Sequence, residues 1–219
     1  MPSLTVENYI KIIYQLSVDT NGEPASTGKI AVALDVLPGT VTSMLKTLSE
    51  NGLATYTPYE GVKLTETGQQ LALKILRRHR LMELFLAQSL GMTWDEAHAE
   101  AEKMEHAVSD ELIARLENFF GYSQVDPHGD PIPRKDGALE TPVGRSLSTC
   151  NEGERFCLIR VIDQSPPFLR YLSKTGLALG AEGTVSRIHF EAGVLTVSVQ
   201  GKQTTMGIAA ASKIFVTPS

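Results

Sequence analysis

Apolar residues in the first third of the chain recur at helical spacing, and turn-forming residues explain each break. Leu4, Tyr9, Ile12, Ile13 and Leu16 lie three and four apart, which predicts a helix over 4–17. Thr20-Asn-Gly-Glu-Pro-Ala concentrates turn formers and predicts a loop. Ser26 or Thr27 offers an N-cap for a short helix ending at Leu34. Asp35-Val-Leu37 leaves room only for a tight turn. Pro38, which lacks an amide hydrogen and has a helical φ built in, suits the first position of a helix running to about Asn51 and ending before Gly52. Two short extended segments, Leu53–Tyr56 and Val62–Leu64, flank Thr57-Pro-Tyr-Glu-Gly61 and predict a hairpin.

Beyond it, Thr65 caps a long helix expected over 66–90, which Gly91 breaks. Thr93-x-x-Glu96 is a capping box, and the helix it opens is expected to continue to about Phe119. Residues 121–150 collect prolines and glycines, including Asp126-Pro-His-Gly-Asp-Pro-Ile-Pro133, and read as a linker region. The pattern then changes to short β segments at 156–161, 183–188, 194–199, 203–208 and 213–216, with glycine-bearing turns, which predict a small barrel. The expected fold class is mainly α with small β parts. Domains are expected at 1–73, 74–140 and 156–219, with a linker over 141–155.

Helix, short helix, tight turn, helix and hairpin is the order of a winged helix-turn-helix, which would place residues 38–50 in a major groove of double-stranded DNA. Pro38, Gly39, Thr40, Thr42 and Ser43 are small enough to approach bases and phosphates closely. Thr27, Lys29, Lys46 and Lys63 are candidates for phosphate contacts, and the tip Tyr59-Glu-Gly61 would lie over the adjacent backbone.

The 219 residues are 42% hydrophobic and 21% charged, enough for substantial cores. No apolar run approaches the roughly 20 residues of a membrane span. The N-terminus lacks the basic and apolar blocks of a secretory signal. Two cysteines, Cys150 and Cys157, make no disulfide framework, so a cytoplasmic location is expected. The net charge of −5 is unevenly spread: residues 1–80 hold 8 basic against 7 acidic residues, 81–135 hold 4 against 11, and 136–219 hold 8 against 7. The acidic excess thus sits in the middle segment, where carboxylates alternate with histidines, and this points to cation binding.

On the helix expected over 93–119, at about 100° per residue, His98, Glu102, Glu105 and His106 share one stripe. His79 and Glu83 stand one turn apart on the preceding helix and can reach one ion. Burying these groups without a counter-charge is costly, and a divalent cation removes that cost. A metallohydrolase would need an open coordination position and a placed base or nucleophile. The chain has no glycine-rich phosphate loop or nucleophile motif, so no enzymatic activity is expected.

The whole chain resembles the diphtheria-toxin-repressor family of metal-dependent bacterial regulators, including its iron- and manganese-sensing branches. The resemblance rests on Glu7-Asn-Tyr9-Ile-x-x-Ile-Tyr14, Arg78-His79-Arg80-Leu-x-Glu83, His98-x-Glu-Ala-Glu102-x-x-Glu105-His106-x-x-Ser109-Asp110, Pro127-His-Gly and Ile132-Pro, in that order. It implies a helical metal-binding and dimerisation domain after the winged helix-turn-helix, and an SH3-like barrel at the C-terminus. It also implies a homodimeric repressor of metal-uptake genes on a pseudo-palindromic operator, with two metal sites per protomer. By the same resemblance, one site takes Asn8, Glu102, Glu105 and His106 and ties the first helix to the metal domain. The second takes His79, Glu83 and His98 with an acid from the C-terminal domain, for which Asp163 is the candidate. Asp126 matches a linker ligand found in some members, and His128 is a secondary candidate. Iron sensors of the family often carry cysteine where Glu102 stands. Hard oxygen and imidazole donors suit Mn(2+), with Fe(2+) as the alternative because Asn8 replaces an anionic ligand. Lys11 stands where some members supply a glutamate, which argues against a closely spaced ion pair.

Overall fold

The structure, a computed structural model, describes residues 3–20 and 22–219, with the side chain of Asp19 left out; Asn21, in the expected loop over 20–25, lies outside the described residues. Helix α1 (Leu4–Asp19) begins at Ser3, whose hydroxyl accepts the Val6 amide. Helix α2 (Thr27–Leu34) is capped by Ser26, which accepts from the Lys29 amide, and ends on Asp35 in the left-handed region at φ 52°. Helix α3 (Pro38–Glu50) starts on Pro38 as its composition predicts. Strands β1 (Ala54–Thr57) and β2 (Gly61–Leu64) form the antiparallel hairpin. The hairpin is anchored by a bridge from Val62 to Ala25. A β-carbon on Gly61, at φ 115°, would meet the Ala25 carbonyl at 2.7 Å, so the close approach requires glycine.

Helix α4 (Glu66–Leu90) is a single element of 25 residues. Its Ala72 and Ile75 join a core built from Ile10 and Ile13 of α1, Ile30 of α2, and Val41, Leu45 and Leu48 of α3. Those three α3 residues recur at four and three, which turns the opposite face of the helix outward. The chain divides into two compact units. The first runs to Arg78 and adds Glu105–Ala107 and Pro133–Ala138, and the second holds His79–Met104, Val108–Ile132 and Leu139–Ser219.

The helix expected over 93–119 is two helices, α5 (Trp94–Met104) and α6 (Asp110–Phe119). The capping box forms, with Glu96 accepting the Thr93 amide at 2.9 Å. The break follows because Ser109 acts as a second N-cap, accepting from the Leu112 amide at 3.2 Å. Glu105–Ala107 therefore leave the helix as a turn. In the second unit, Leu81 and Leu84 of α4 pack with Ala97 and Ala101 of α5 and with Ile113 and Leu116 of α6. The run Asp126–Pro133, expected in a linker region, is buried along its length, and its Ile132 belongs to this same core.

Strand β3 (Arg145–Ser146) and a 3-10 turn at Leu147–Thr149 lie within the expected linker, and Leu147 is fully buried. Strand β4 (Arg155–Val161) is followed by helix α7 (Pro166–Thr175), absent from the sequence expectation. Its two leading prolines resemble a loop, but they sit at the first helical turn, and Gly176 closes the helix in the left-handed region. Strands β5 (Glu182–His189), β6 (Val194–Val199) and β7 (Lys202–Gly207), the short helix α8 (Ile208–Ala211) and β8 (Ile214–Pro218) complete a six-stranded sheet. Its order is β3-β8-β4-β5-β6-β7 and every pairing is antiparallel. Among the described residues, no single helix is long and apolar enough to cross a membrane.

Candidate metal centres and nucleic-acid interface

With Val41, Leu45 and Leu48 buried, α3 exposes Pro38, Gly39, Thr40, Ser43 and Lys46, with Thr42 half-buried beside them. Lys29 and Lys63 are exposed and Thr27 half-buried. The Thr42 hydroxyl donates to the Pro38 carbonyl and the Ser43 hydroxyl to the Gly39 carbonyl, both at 3.1 Å, leaving their oxygen lone pairs available as acceptors. Tyr59 is fully exposed at the hairpin tip with φ 68°. This face can lie against an extended duplex: small groups, cations and a projecting wing on one scaffold.

A first cluster of donors lies in the first unit. Glu7 and Lys11, one turn apart on α1, are both buried. Glu7 Oε2 lies 2.6 Å from His106 Nδ1, and Lys11 Nζ donates to Glu105 Oε1 at 2.6 Å. The same Glu105 oxygen lies 3.3 Å from His106 Nε2. A neutral imidazole that donates from Nδ1 to a carboxylate carries its lone pair on Nε2, the orientation that metal-ligating histidines adopt. Asn8 is half-buried on α1 between Glu7 and Tyr9. The α1 contacts to Glu105 and His106 come from Glu7, which the sequence reading did not single out, and from Lys11, which it noted only as a departure.

The second cluster centres on Glu83, which is fully buried in α4. Its Oε1 lies 3.0 Å from His79 Nε2, 2.8 Å from His98 Nδ1 and 3.7 Å from His128 Nδ1. One donor atom each from His79, Glu83 and His98 lie within 4.8 Å of one another, and so do those from Glu83, Asp126 and His128. Glu102 Oε1, partly exposed on α5, is 3.8 Å from His79 Nδ1 and 4.0 Å from His98 Nε2.

The electrostatics of this cluster are unbalanced. Burial alone would raise the Glu83 carboxyl, but the charge of His79 and hydrogen bonds from His79 and His98 hold it well below the ordinary carboxylate range. Asp126 goes the other way. Burial, then the charges of Glu83 and Asp130, push it well above its usual value against the opposing pull of Arg80. Burial lowers His128, keeping its imidazole neutral. Glu83 Oε2, Asp126 Oδ2 and both ring nitrogens of His128 are buried without a hydrogen-bond partner among the described residues. Orphaned buried groups of this kind are rare in folded proteins and call for an occupant. The two carboxylate oxygens and one ring nitrogen of the neutral His128 offer lone pairs, so the residues present fit a divalent cation of hard or borderline character.

The loop that carries Asp126 and His128 is built locally. Asp126 Oδ1 accepts the amides of His128 at 2.8 Å and Asp130 at 2.9 Å, and Gly129 turns the chain at φ 85°. Asp130 then binds Arg160 Nε at 2.5 Å and Gln164 Nε2 at 2.9 Å, a bracket the sequence did not signal. Asp163 stands elsewhere in this network: Lys213 Nζ lies 2.5 Å from its Oδ2, and the Ser165 amide donates to its Oδ1 at 2.9 Å. Burial would raise its carboxyl, but the Lys213 and Ser165 hydrogen bonds keep it below the usual range.

A winged helix-turn-helix joined to two clusters of carboxylates and imidazoles defines a class, the metal-responsive DNA-binding regulators. Comparison with known proteins gives the family. Residues 1–62 match the iron dependent repressor N-terminal DNA binding domain, 65–134 the iron dependent repressor metal binding and dimerisation domain, and 145–218 the FeoA domain. An uncharacterised HTH-type transcriptional regulator of Methanocaldococcus jannaschii is 41% identical over 54% of this chain and 94% of its own length. The iron-dependent repressor IdeR of Mycobacterium bovis is 34% identical over 64% of this chain but only 59% of its own length. A solved manganese-dependent transcriptional repressor in complex with manganese superposes with a TM-score of 0.84 at 37% identity, covering 98% of this chain and 100% of the other. The chain belongs to the iron-dependent, or diphtheria-toxin, repressor family of metal-dependent DNA-binding transcriptional regulators, which are not enzymes.

Proposed function

We propose that this protein is a manganese-dependent repressor of metal-uptake genes, acting as a homodimer on a pseudo-palindromic operator. The carrying observation is the set of orphaned buried donors on Glu83, Asp126 and His128, which contains oxygen and nitrogen but no thiol. Both cysteines lie outside the candidate donor groups, and hard donors of this type favour Mn(2+) over softer ions. The second site in this reading comprises His79, Glu83, His98, Asp126 and His128. Asp163 could join only by leaving Lys213. Glu102 stands beside His79 and His98 in that set. The DNA-coupled site comprises Glu105 and His106, with Asn8 as a further ligand and Glu7 as the group that orients His106.

A bound divalent cation would supply the positive charge that these buried carboxylates lack. The chain's own residues do the rest. Glu7 fixes the His106 ring, and Glu105 and His106 face α1, whose Ile10 and Ile13 lie in one core with Val41 and Leu45 of the reading helix α3. Holding α1 at Glu105 and His106 therefore biases the position of α3, and the ion acts by population shift, binding the DNA-competent arrangement more tightly. Pro38, Gly39, Thr40, Thr42 and Ser43 approach the groove, and Thr27, Lys29 and Lys46 hold phosphates. Fe(2+) is the second reading, favoured by the neutral Asn8 and by the iron-dependent relatives.

The test uses duplexes selected from a randomised pool by the Mn(2+)-loaded protein, with retention then measured under anaerobic buffering across Mn(2+), Fe(2+), Zn(2+) and Co(2+). Retention should follow Mn(2+) at the lowest free concentration and be lost in the double variant Glu105→Ala, His106→Ala. Unchanged Mn(2+)-dependent retention in that variant would overturn the coupling.

A further inference from the structure

The position of Lys11 has a consequence for how the Glu105–His106 site responds to metal. Lys11 is 3% exposed and Glu105 fully buried, so their 2.6 Å ion pair is shielded from water and from salt. Its ammonium lies against the Glu105 oxygen that is 3.3 Å from His106 Nε2, between the two residues that the proposed function assigns to the ion. Among the described residues, Lys11 brings an ammonium onto a Glu105 oxygen inside the fold. A divalent cation held by that oxygen would lie within a few ångströms of the ammonium in a buried place, where like charges repel strongly. Exchange of one for the other removes that repulsion.

We propose that Lys11 is a built-in counter-ion that occupies Glu105 in the metal-free protein, so that metal binding there is an exchange of ammonium for divalent ion, and Lys11 sets the metal concentration at which the regulator responds. The inference rests on the reading of Glu105 and His106 as metal ligands. The physical logic is that breaking a buried ion pair is costly because one charge is left behind. Metal binding must meet that cost in the wild-type chain. In a Lys11→Met variant that ion pair is already missing from the metal-free state, so metal binding no longer has to break it. The flexible four-carbon stem of lysine suits this role, since the ammonium can leave without moving the helix that carries it.

The experiment is Mn(2+) titration calorimetry on the full chain, with the Glu105→Ala variant identifying which isotherm belongs to this pocket and thermal unfolding recorded with and without Mn(2+). Lys11→Met should bind Mn(2+) at the Glu105-dependent site about tenfold more tightly, a difference of about 1.4 kcal/mol. Lys11→Arg, which keeps the charge, should stay within about threefold of wild type. Lys11→Met should melt at a lower temperature than wild type without metal and at the same temperature when loaded. Lys11→Gln serves as the neutral variant if methionine prevents folding. If the neutral variants bind Mn(2+) no more tightly, or lose the same stability with and without metal, Lys11 is only a structural partner and the proposal falls. If wild type shows no Glu105-dependent Mn(2+) binding at all, the functional reading of the pocket fails first and takes the exchange with it.

Discussion

Replacing Asp126 by asparagine should move stability and metal affinity in opposite directions. Asp126 Oδ1 accepts two backbone amides that hold the 126–130 loop, and an asparagine carbonyl can accept both. Oδ2 is buried without a hydrogen bond, with Arg80 Nε 3.7 Å away. The carboxyl is held well above its ordinary value by burial and then by the charges of Glu83 and Asp130. Its stabilising contribution is therefore complete below the unfolded value of about 3.9 and is lost as pH rises through the higher folded value. At neutral pH the metal-free wild type carries the cost of a buried, poorly compensated acceptor, about 1–3 kcal/mol. Asp126→Asn should recover about 1–2 kcal/mol of that in chelator-treated protein. The gain should shrink as pH is lowered toward about 4, where the wild-type carboxyl is protonated. Mn(2+) affinity at this cluster should fall about 10- to 100-fold. Trp94, the chain's one tryptophan, lies edge-on to His128 at 5.4 Å and offers a local fluorescence reporter for both urea unfolding and metal titration. A metal-free variant that is less stable than wild type at neutral pH, or a stability difference that does not grow with pH, would refute the assignment of Asp126 as the strained acid of the site.

Gly129→Ala should destabilise the second unit by about 2 kcal/mol or more, because the residue sits at positive φ. Its new β-carbon would fall 2.0 Å from the Ile159 carbonyl oxygen, so Trp94 emission should also stop responding to Mn(2+). Lys46→Ala, on the exposed face of α3, should weaken retention of all duplexes to a similar extent and reduce the salt dependence by about one unit of slope, as read from titrations at several salt concentrations. Mn(2+) affinity at the Glu83 cluster should fall with decreasing pH, because the Asp126 carboxyl, raised by burial and by the charges of Glu83 and Asp130, must lose its proton to ligate. Asp126→Asn should flatten that fall in pH-dependent Mn(2+) titrations, and an unchanged profile in the variant would contradict this reading of Asp126.

Much of this protein is set by local sequence. The starts of α2 and α3, the hairpin and the long α4 follow from Ser26, Pro38, the turn at 57–61 and Thr65, because caps and turns are satisfied by neighbours a few residues away. The donor types that make a hard-metal site are likewise legible, as are His79 and Glu83 one turn apart on α4. Local cues point two ways elsewhere. Ser109 ends the α5 pattern and caps α6, the prolines of 126–133 belong to a buried loop rather than to a linker, and Pro166 and Pro167 open a helix that the β pattern around them hides.

Which donors meet was decided only by the tertiary structure. The single stripe read from His98 to His106 is divided by the turn at Glu105–Ala107. Glu105 and His106 then face Glu7 and Lys11, 94 to 99 residues away in the chain, while His98 turns to Glu83. The buried state of Asp126 and His128, the opposite displacements of Glu83 and Asp126, and the engagement of Asp163 by Lys213 are also invisible in one dimension. Residue type determines whether a group can ligand a metal. Its charge state, its partner and its free lone pairs depend on desolvation and on charges a few ångströms away, and those are set by segments distant in the chain that only folding brings together.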